Sequence, residues 1–225
     1  MYNNIMNIIQ TWKTKDIPVR YEKLIQSVIN HNPKGNYLFF SDEDIKEFIH
    51  NKMPEYKSTF FSLPNKIQQI DFFRYLAIYY YGGIYLDLDI LVEYPLDELY
   101  DNPHICKFPI EYENINDVII TDQGFDSLIG NYAFYAPAKH AFVKKIIDNI
   151  VNKRMTQQDI IKAKSTNGDT MLDVEIYCTT GPILVTQSYI DFENKADVAL
   201  LKTAPFHPER FGKYARHYCM GTWRK

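Results

Sequence analysis

The sequence predicts an α/β fold with a mostly parallel central sheet flanked by helices. Apolar runs typical of strands alternate with helix-periodic segments through the first 90 of the 225 residues. Residues 65–81 then predict a long helix, and the period changes from 3.6 to 2 directly after Gly82 and Gly83. A further apolar stripe at helical spacing covers residues 142–151. The length fits one domain, so we expect residues 1–225 to fold as a single unit.

The N-terminal part predicts strand, helix, strand and helix in that order. Residues 6–12 form a short apolar run, and residues 21–29 carry apolar side chains at helical spacing. Residues 36–40 predict the second strand. Ser41 followed by Asp44 is a capping-box signature for the next helix. In open sheets of this kind ligands bind beyond the carboxyl ends of the strands, so we expect a site there.

The segment after the two glycines carries a pair of acidic residues. In a strand over residues 84–90, Asp87 and Asp89 project from the same face, about 7 Å apart. Two adjacent anions repel, so a positive group is expected beside them. Hard cations such as Mn²⁺ and Mg²⁺ take carboxylate oxygen and complete their shell with substrate phosphates. The alternative is an edge strand whose aspartates only face solvent, and a bare Asp-x-Asp by itself favours this alternative. The Leu-rich neighbours at the end of a long helix favour a covered strand instead.

The remaining composition excludes several classes of protein. The net charge is −3 and no basic tract is present, so the sequence gives no indication of nucleic-acid binding. Cys106, Cys178 and Cys219 are widely separated, so we expect free thiols and no disulfide framework. There is no apolar run long enough to span a membrane and no signal-peptide pattern, so we expect a soluble, cytoplasmic chain.

The second half gives weaker signals. Pro95 and Pro103 rule out a continuous helix after the acidic pair. Residues 107–130 mix short apolar runs with Asn, Asp and Gly and predict strand and loop. Residues 162–173 are polar and predict a loop, and Pro182 after Thr-Gly suits the first turn of a helix.

Residues 71–90, DFFRYLAIYYYGGIYLDLDI, closely resemble the core motif of glycosyltransferase family 32. This family of sugar transferases with a DXD motif includes capsular polysaccharide and yeast-type mannosyltransferases, and the clostridial glucosylating toxins carry a related motif. The matching residues are Asp71, Arg74, Tyr75, Gly82, Gly83, Tyr85, Asp87 and Asp89.

The resemblance implies a GT-A type domain that moves a hexose from a nucleoside diphosphate sugar to a glycan or another hydroxyl acceptor, with retention. The donor would be a UDP-sugar or GDP-mannose, and the cofactor Mn²⁺ or Mg²⁺. Asp89 would hold the cation, with Asp87 acting through water or on the ribose. Asp71 and Arg74 would hold hydroxyls of the donor sugar; without the resemblance they equally fit a surface ion pair three residues apart.

Both ends of the chain also resemble family motifs. Trp12 matches a tryptophan that stacks on the nucleotide base, although a core or surface anchor is the simpler alternative. Residues 206–225 resemble the closing segment, which would complete the site with His217 as a metal ligand, Thr222 as a phosphate contact and Trp223 as a lid. The family more often has Ser where Thr222 stands, and an isolated tail histidine is otherwise a surface residue.

Two internal positions resemble the family with less definite roles. Asn131 opens a segment leading to Pro137 and His140, and it fits either a sugar contact or a turn. Thr180 begins a Thr-Gly-Pro, for which a structural role at a helix start is expected. Two other functions stay open from the sequence: a non-catalytic module that binds nucleotide sugar or glycan, and a metal-dependent phosphohydrolase with an aspartyl nucleophile.

Overall fold

A computed structural model describes residues 6–113, 120, 122–166, 168–202 and 210–221. The α-helices are α1 Glu22–His31, α2 Asp42–Lys52, α3 Lys57–Ser62, α4 Lys66–Tyr81, α5 Ala141–Val151, α6 Gln157–Thr166, α7 Met171–Thr179 and α8 Pro182–Ile190. The strands are β1 Asn7–Trp12, β2 Asn36–Ser41, β3 Gly83–Leu86, β4 Ile90–Val92, β5 Cys106–Tyr112, β6 Leu128–Ile129, β7 Ala133–Ala136, β8 Val198–Leu201, β9 Arg210–Phe211 and β10 Ala215–His217.

The central sheet has the order β2-β1-β3-β7-β5, and β5 also pairs with β6 and β8. β1 is parallel to β2 and to β3, and β8 is parallel to β5. β7 is antiparallel to both β3 and β5, and β6 is antiparallel to β5. The sheet is therefore mixed, although five of its seven described strands run in one direction. The four residues of β7 are all buried, which is typical of a central strand but indicates no direction.

A second, antiparallel sheet has the order β4-β10-β9. His217 of β10 pairs with Ile90, the first residue of β4 and the direct neighbour of Asp89. The C-terminal segment is thus hydrogen-bonded, as a strand, to the chain that leaves the acidic pair. This small sheet places His217 next to Asp89.

Helix α4 is buried over its central residues 71–78 and packs within the main hydrophobic core. Phe72, Phe73 and Tyr75 are fully buried on it, and it packs against α5 and the sheet. Because α4 is surrounded by protein, its polar residues Asp71 and Arg74 are also buried, each 3% exposed. A helix buried on all sides places any charged residue in the interior, where a charge needs a partner.

Most predicted elements are confirmed. α4 covers the predicted helix, and Ser41 and Asp44 form the predicted capping box at the start of α2. The predicted loop over residues 162–173 is wrong, because α6 continues to residue 166 and α7 begins at Met171. Ile160 of α6 is buried and fixes this helix against the core, which a polar local composition does not reveal. No helix in the described ranges is both long and apolar enough to cross a membrane.

Gly83 lets β3 approach β1 closely and gives the first testable prediction. Its φ is +120°, and a Cβ at this position would lie 2.3 Å from the carbonyl oxygen of Asn7. Both strain and a backbone clash would follow, so we expect Gly83→Ala to lower the free energy of unfolding by about 3 kcal/mol or more. Denaturant unfolding measures the loss. Gly168→Ala is the matched control, because a Cβ there meets nothing within 4 Å; equal midpoints for the two variants would contradict the prediction.

Candidate active site

The acidic pair lies in a turn that directly follows β3. The strand ends at Leu86, and Asp87, Leu88 and Asp89 precede β4, with the amide of Ile90 donating to the carbonyl of Asp87 at 3.2 Å. The predicted strand over residues 84–90 is therefore wrong in its second half. A turn suits two adjacent aspartates better than a strand, because Asp is depleted in strands and frequent in turns.

A cleft of about 1380 Å³ opens beside the carboxyl ends of β1 and β3. Its lining includes the sequence-predicted residues that the structure describes: Trp12, Asp71, Arg74, Asp87, Asp89, Asn131 and His217. Residues as far apart in sequence as Trp12 and His217 are thus brought to one cavity, at the edge where open α/β sheets bind ligands. Thr222 and Trp223 lie outside the described residues, so their roles stay predictions.

Asp87, Asp89 and His217 each offer a metal-ligating atom, and the three atoms lie within 4.8 Å of one another. Asp89 Oδ1 is 3.2 Å from His217 Nε2. Two carboxylates and one imidazole form a set of hard to borderline donors that fits Mn²⁺ or Mg²⁺. The donor set therefore fits the cation that the sequence predicts.

Asp89 and His217 form the charged half of this cluster. Burial disfavours the charged imidazole, but the hydrogen bond and charge of Asp89 outweigh it and raise the pKa of His217 to about 11. Burial likewise acts against the charged form of Asp89. The hydrogen bonds from His217 and from the amide of Met220, at 2.8 Å, nevertheless hold the pKa of Asp89 below its usual value. Asp89 is thus ionised and fixed in place.

Asp87 is oriented by two neighbours that both contact Oδ1. The hydroxyl of Tyr85 donates to it at 2.8 Å, and Nη2 of Arg74 lies 3.3 Å away. The amide of Gln10 donates to the Asp87 carbonyl at 3.1 Å. Burial raises the pKa of Asp87, and Arg74 offsets part of this effect. Since no hydrogen bond from the described residues falls on Oδ2, that oxygen stays available to a ligand.

Arg74 contacts both the buried Asp71 and the partly exposed Asp87. Its Nη2 is 3.0 Å from Asp71, its Nη1 donates to the Asn131 carbonyl at 2.7 Å, and its guanidinium lies 4.6 Å from the ring centroid of Tyr85. The alternative of a surface ion pair is therefore wrong. The Nε of Arg74 is buried and has no hydrogen-bond partner among the described residues.

Asp71 is held by residues from distant elements. Thr180 donates to its Oδ2 at 2.9 Å, and the Asn131 amide donates to its Oδ1 at 3.2 Å. Burial raises the pKa of Asp71 to about 6 although Arg74 and Thr180 act against it. Thr180 therefore contacts Asp71 directly, a role that the sequence did not reveal. The Thr-Gly-Pro motif at Thr180 predicted the start of a helix, but it did not indicate which residue the threonine side chain contacts.

Trp12 lies at the end of β1 and is partly exposed to the cleft. Its ring centroid is 4.8 Å from that of Tyr21, with 54° between the planes, and Leu88 and Met220 pack in the same cluster. An indole held by packing on one side offers its remaining surface to a planar ligand. Base stacking by Trp12 stays a prediction.

Tyr132 is a residue of the site that sequence reasoning missed. Its ring stacks on His217 with 4.4 Å between centroids and 16° between planes, and its carbonyl accepts from the amide of Asp87 at 2.8 Å. The available signal was its place directly after Asn131, in a segment that resembles a motif of the family. Tyr132 therefore links β7 to both sides of the acidic turn.

The chain is similar to known proteins both in sequence and in fold. Residues 18–105 match the family model described as "Glycosyltransferase sugar-binding region containing DXD motif". The chain is 40% identical over 96 residues to Inositol phosphoceramide mannosyltransferase 3 of Schizosaccharomyces pombe, covering 43% of this chain and 27% of that protein. It is 30% identical over 201 residues to Putative glycosyltransferase HOC1 of Saccharomyces cerevisiae, covering 83% of this chain and 48% of that protein. The chain thus spans about a quarter to a half of these relatives.

Among solved structures, PaToxG Glycosyltransferase is similar, with a TM-score of 0.51 and 18% identity, covering 83% of this chain and 69% of that chain. At this identity the likeness shows the fold alone. It confirms the predicted α/β fold of GT-A type, with the central sheet mixed. The family match confirms the resemblance of the DXD region to glycosyltransferase family 32.

Proposed function

We propose that this chain, whose residues 18–105 match the sugar-binding region of DXD glycosyltransferases, is a metal-dependent glycosyltransferase. It would transfer a hexose from a nucleoside diphosphate sugar to a hydroxyl of a glycan or glycoconjugate, with retention at the anomeric carbon. The observation that carries the proposal is the convergence of Asp87, Asp89 and His217 within 4.8 Å at the wall of a cleft of about 1380 Å³.

In this proposal Asp87, Asp89 and His217 hold Mn²⁺ or Mg²⁺. When bound, the cation supplies positive charge that stabilises the departing nucleoside diphosphate. Tyr85 and Arg74 keep the Asp87 carboxylate in one orientation, so that little reorganisation is needed when the donor binds. The catalysis would be mainly electrostatic, which fits a site built from fixed charges.

The donor would lie along the cleft from Trp12 to Asp71. Trp12 would stack on the base, and Asp71 and Arg74 would border the sugar. Both residues are saturated by protein contacts on most of their polar atoms, so we expect them to shape and charge this end of the cleft as much as to bind hydroxyls directly. Thr222 would contact a phosphate, and Trp223 would cover the donor.

Mannose is the first sugar to test, because several curated relatives are named as mannosyltransferases. GDP-mannose, UDP-glucose, UDP-galactose and UDP-N-acetylglucosamine would each be incubated with the purified protein and Mn²⁺, Mg²⁺ or EDTA. Release of nucleoside diphosphate measures turnover, and the NMR coupling of the anomeric proton in the product distinguishes retention from inversion. We expect turnover of at least one donor that EDTA abolishes and added Mn²⁺ restores.

The same experiment separates the alternatives. Tight donor binding by calorimetry with no turnover of any donor would favour a non-catalytic binding module. Phosphate release from simple phosphate esters without sugar transfer would favour a phosphohydrolase. Either outcome would overturn the proposed transferase activity.

A further inference from the structure

The imidazole of His217 is contacted on three sides. Nε2 faces Asp89 Oδ1 at 3.2 Å, and the ring face stacks on Tyr132. Nδ1 lies 3.1 Å from Sγ of Cys219. The pairing of β10 with β4 fixes the backbone of His217. Each ring nitrogen therefore has its own partner, and rotation of the ring would break contacts on every side.

The contacts of the two ring nitrogens decide which nitrogen faces a cation. Asp89 Oδ1 faces Nε2 at 3.2 Å, and Asp87 belongs to the same group of ligand atoms within 4.8 Å of one another. Because Nδ1 is occupied by Cys219, Nε2 is the nitrogen that a cation would meet. To coordinate a cation, the charged imidazole must lose its proton from Nε2, and the remaining proton is then on Nδ1. Nδ1 would carry that proton and donate it to Sγ of Cys219. In metal sites a carboxylate or a carbonyl commonly accepts the hydrogen bond from the second ring nitrogen, and this bond fixes the tautomer and the ring orientation.

The backbone of Cys219 is held in an uncommon conformation by Asp89 itself. Its φ is +48°, in the left-handed region that a residue with a side chain seldom adopts. The amide of Tyr218 donates to the Asp89 carbonyl at 3.1 Å, and the amide of Met220 donates to Asp89 Oδ2 at 2.8 Å. Bonds on both sides of Cys219 thus hold the strained residue where its thiol reaches Nδ1.

We propose that Cys219 is a positioning residue that sets the tautomer and orientation of His217 for divalent-cation binding. The inference rests on the proposed function, because it concerns the same metal site. Sγ contacts Nδ1, whereas Asp89 faces Nε2, so the thiol orients a ligand and does not itself coordinate the ion. A cysteine in this position also makes cation binding sensitive to chemical modification of the thiol.

Cation binding by cysteine variants tests the inference without any turnover measurement. We expect Cys219→Ala to weaken Mn²⁺ binding about tenfold, as measured by the electron paramagnetic resonance of free Mn²⁺. Cys219→Ser keeps a hydrogen-bond acceptor and is expected to restore most of the affinity. With Zn²⁺ as a diamagnetic probe, nitrogen-15 NMR should show His217 protonated at Nδ1 in the wild type and Ser variant, and a mixture of tautomers in the Ala variant.

Alkylation gives an independent readout on the unmodified sequence. Cys106 and Cys178 are fully buried and Cys219 is exposed, so iodoacetamide should modify Cys219 first. The labelled protein should lose Mn²⁺ affinity, whereas Cys219→Ser treated in the same way should keep it.

The outcomes separate the inference from the proposed function. If the wild type binds Mn²⁺ and Cys219→Ala binds it equally well with the same tautomer, the role of Cys219 is refuted and the metal site stands. If the wild type binds no Mn²⁺, the proposed function and the inference both fail. Cys219 is exposed, so melting temperatures of the variants should match that of the wild type, and a large drop in the Ala variant alone would indicate a structural role instead.

Discussion

Replacement of Asp89 by asparagine is expected to lower donor turnover at least about a hundredfold and to weaken Mn²⁺ binding strongly. Asparagine has nearly the same shape and can still accept from the Met220 amide, so the turn should persist. It removes the negative charge that attracts both His217 and a cation. Steady-state kinetics with the best donor and Mn²⁺ titration measure the two effects.

The control is a carboxylate of the same chain that lies outside the cleft lining. Asp97 is exposed in the short 3₁₀ helix Asp97–Tyr100 that follows β4, and Asp97→Asn should leave both measurements unchanged. Full turnover by Asp89→Asn that EDTA still abolishes would mean that other residues hold the metal. Such a result would remove the acidic turn from the centre of the mechanism.

The helices and the first strands were predictable because their signals are local. The capping box of Ser41 and Asp44 lies within four residues, and the stop of α4 at Gly82, with its φ of +65°, depends on one residue type. The prediction of a continuous strand after Leu86 was wrong because it also rested on a local pattern. Leu86, Leu88 and Ile90 keep the alternation of a strand and are all buried, although the backbone turns at Asp87. A burial pattern with a period of two therefore does not prove a continuous strand.

The partners of the site residues were not predictable, because they are distant in sequence. Thr180 is 109 residues from Asp71, and the Met220 amide is 131 residues from Asp89. No periodicity or local motif encodes such contacts. The residue types of the site followed from the DXD motif and its resemblance, whereas the tertiary contacts that orient them required the fold. The direction of β7 in the mixed sheet belongs to the same class of non-local information.

The spacing of Asp71 and Arg74 shows how a local rule can give the wrong environment. Residues three apart on a helix form a weak pair when the helix is on the surface. α4 is buried, so the same pair is enclosed, and Arg74 also neutralises Asp87 at 3.3 Å. We therefore expect the ion pairs of Arg74 to contribute much more to the free energy of unfolding than a surface pair would.

Replacement of Arg74 by methionine is accordingly expected to lower the free energy of unfolding by about 3 to 5 kcal/mol. The variant fills a similar volume but leaves Asp71 and Asp87 without the cation that contacts them at 3.0 and 3.3 Å. Burial raises the pKa of both carboxyl groups even in the presence of Arg74. Without the arginine, the ionised form of each carboxyl group becomes less stable still, and this destabilises the folded state. Denaturant unfolding of the two proteins measures the difference.

Arg154→Met is the matched control, because Arg154 also pairs with an aspartate, Asp191 at 2.8 Å, but on the surface. It should cost less than about 1 kcal/mol. Adding Asp71→Asn to Arg74→Met should recover part of the lost stability, since it removes one uncompensated buried charge. If Arg74→Met instead costs no more than Arg154→Met, some other group neutralises Asp71 and Asp87, and Arg74 does not organise the donor end of the cleft.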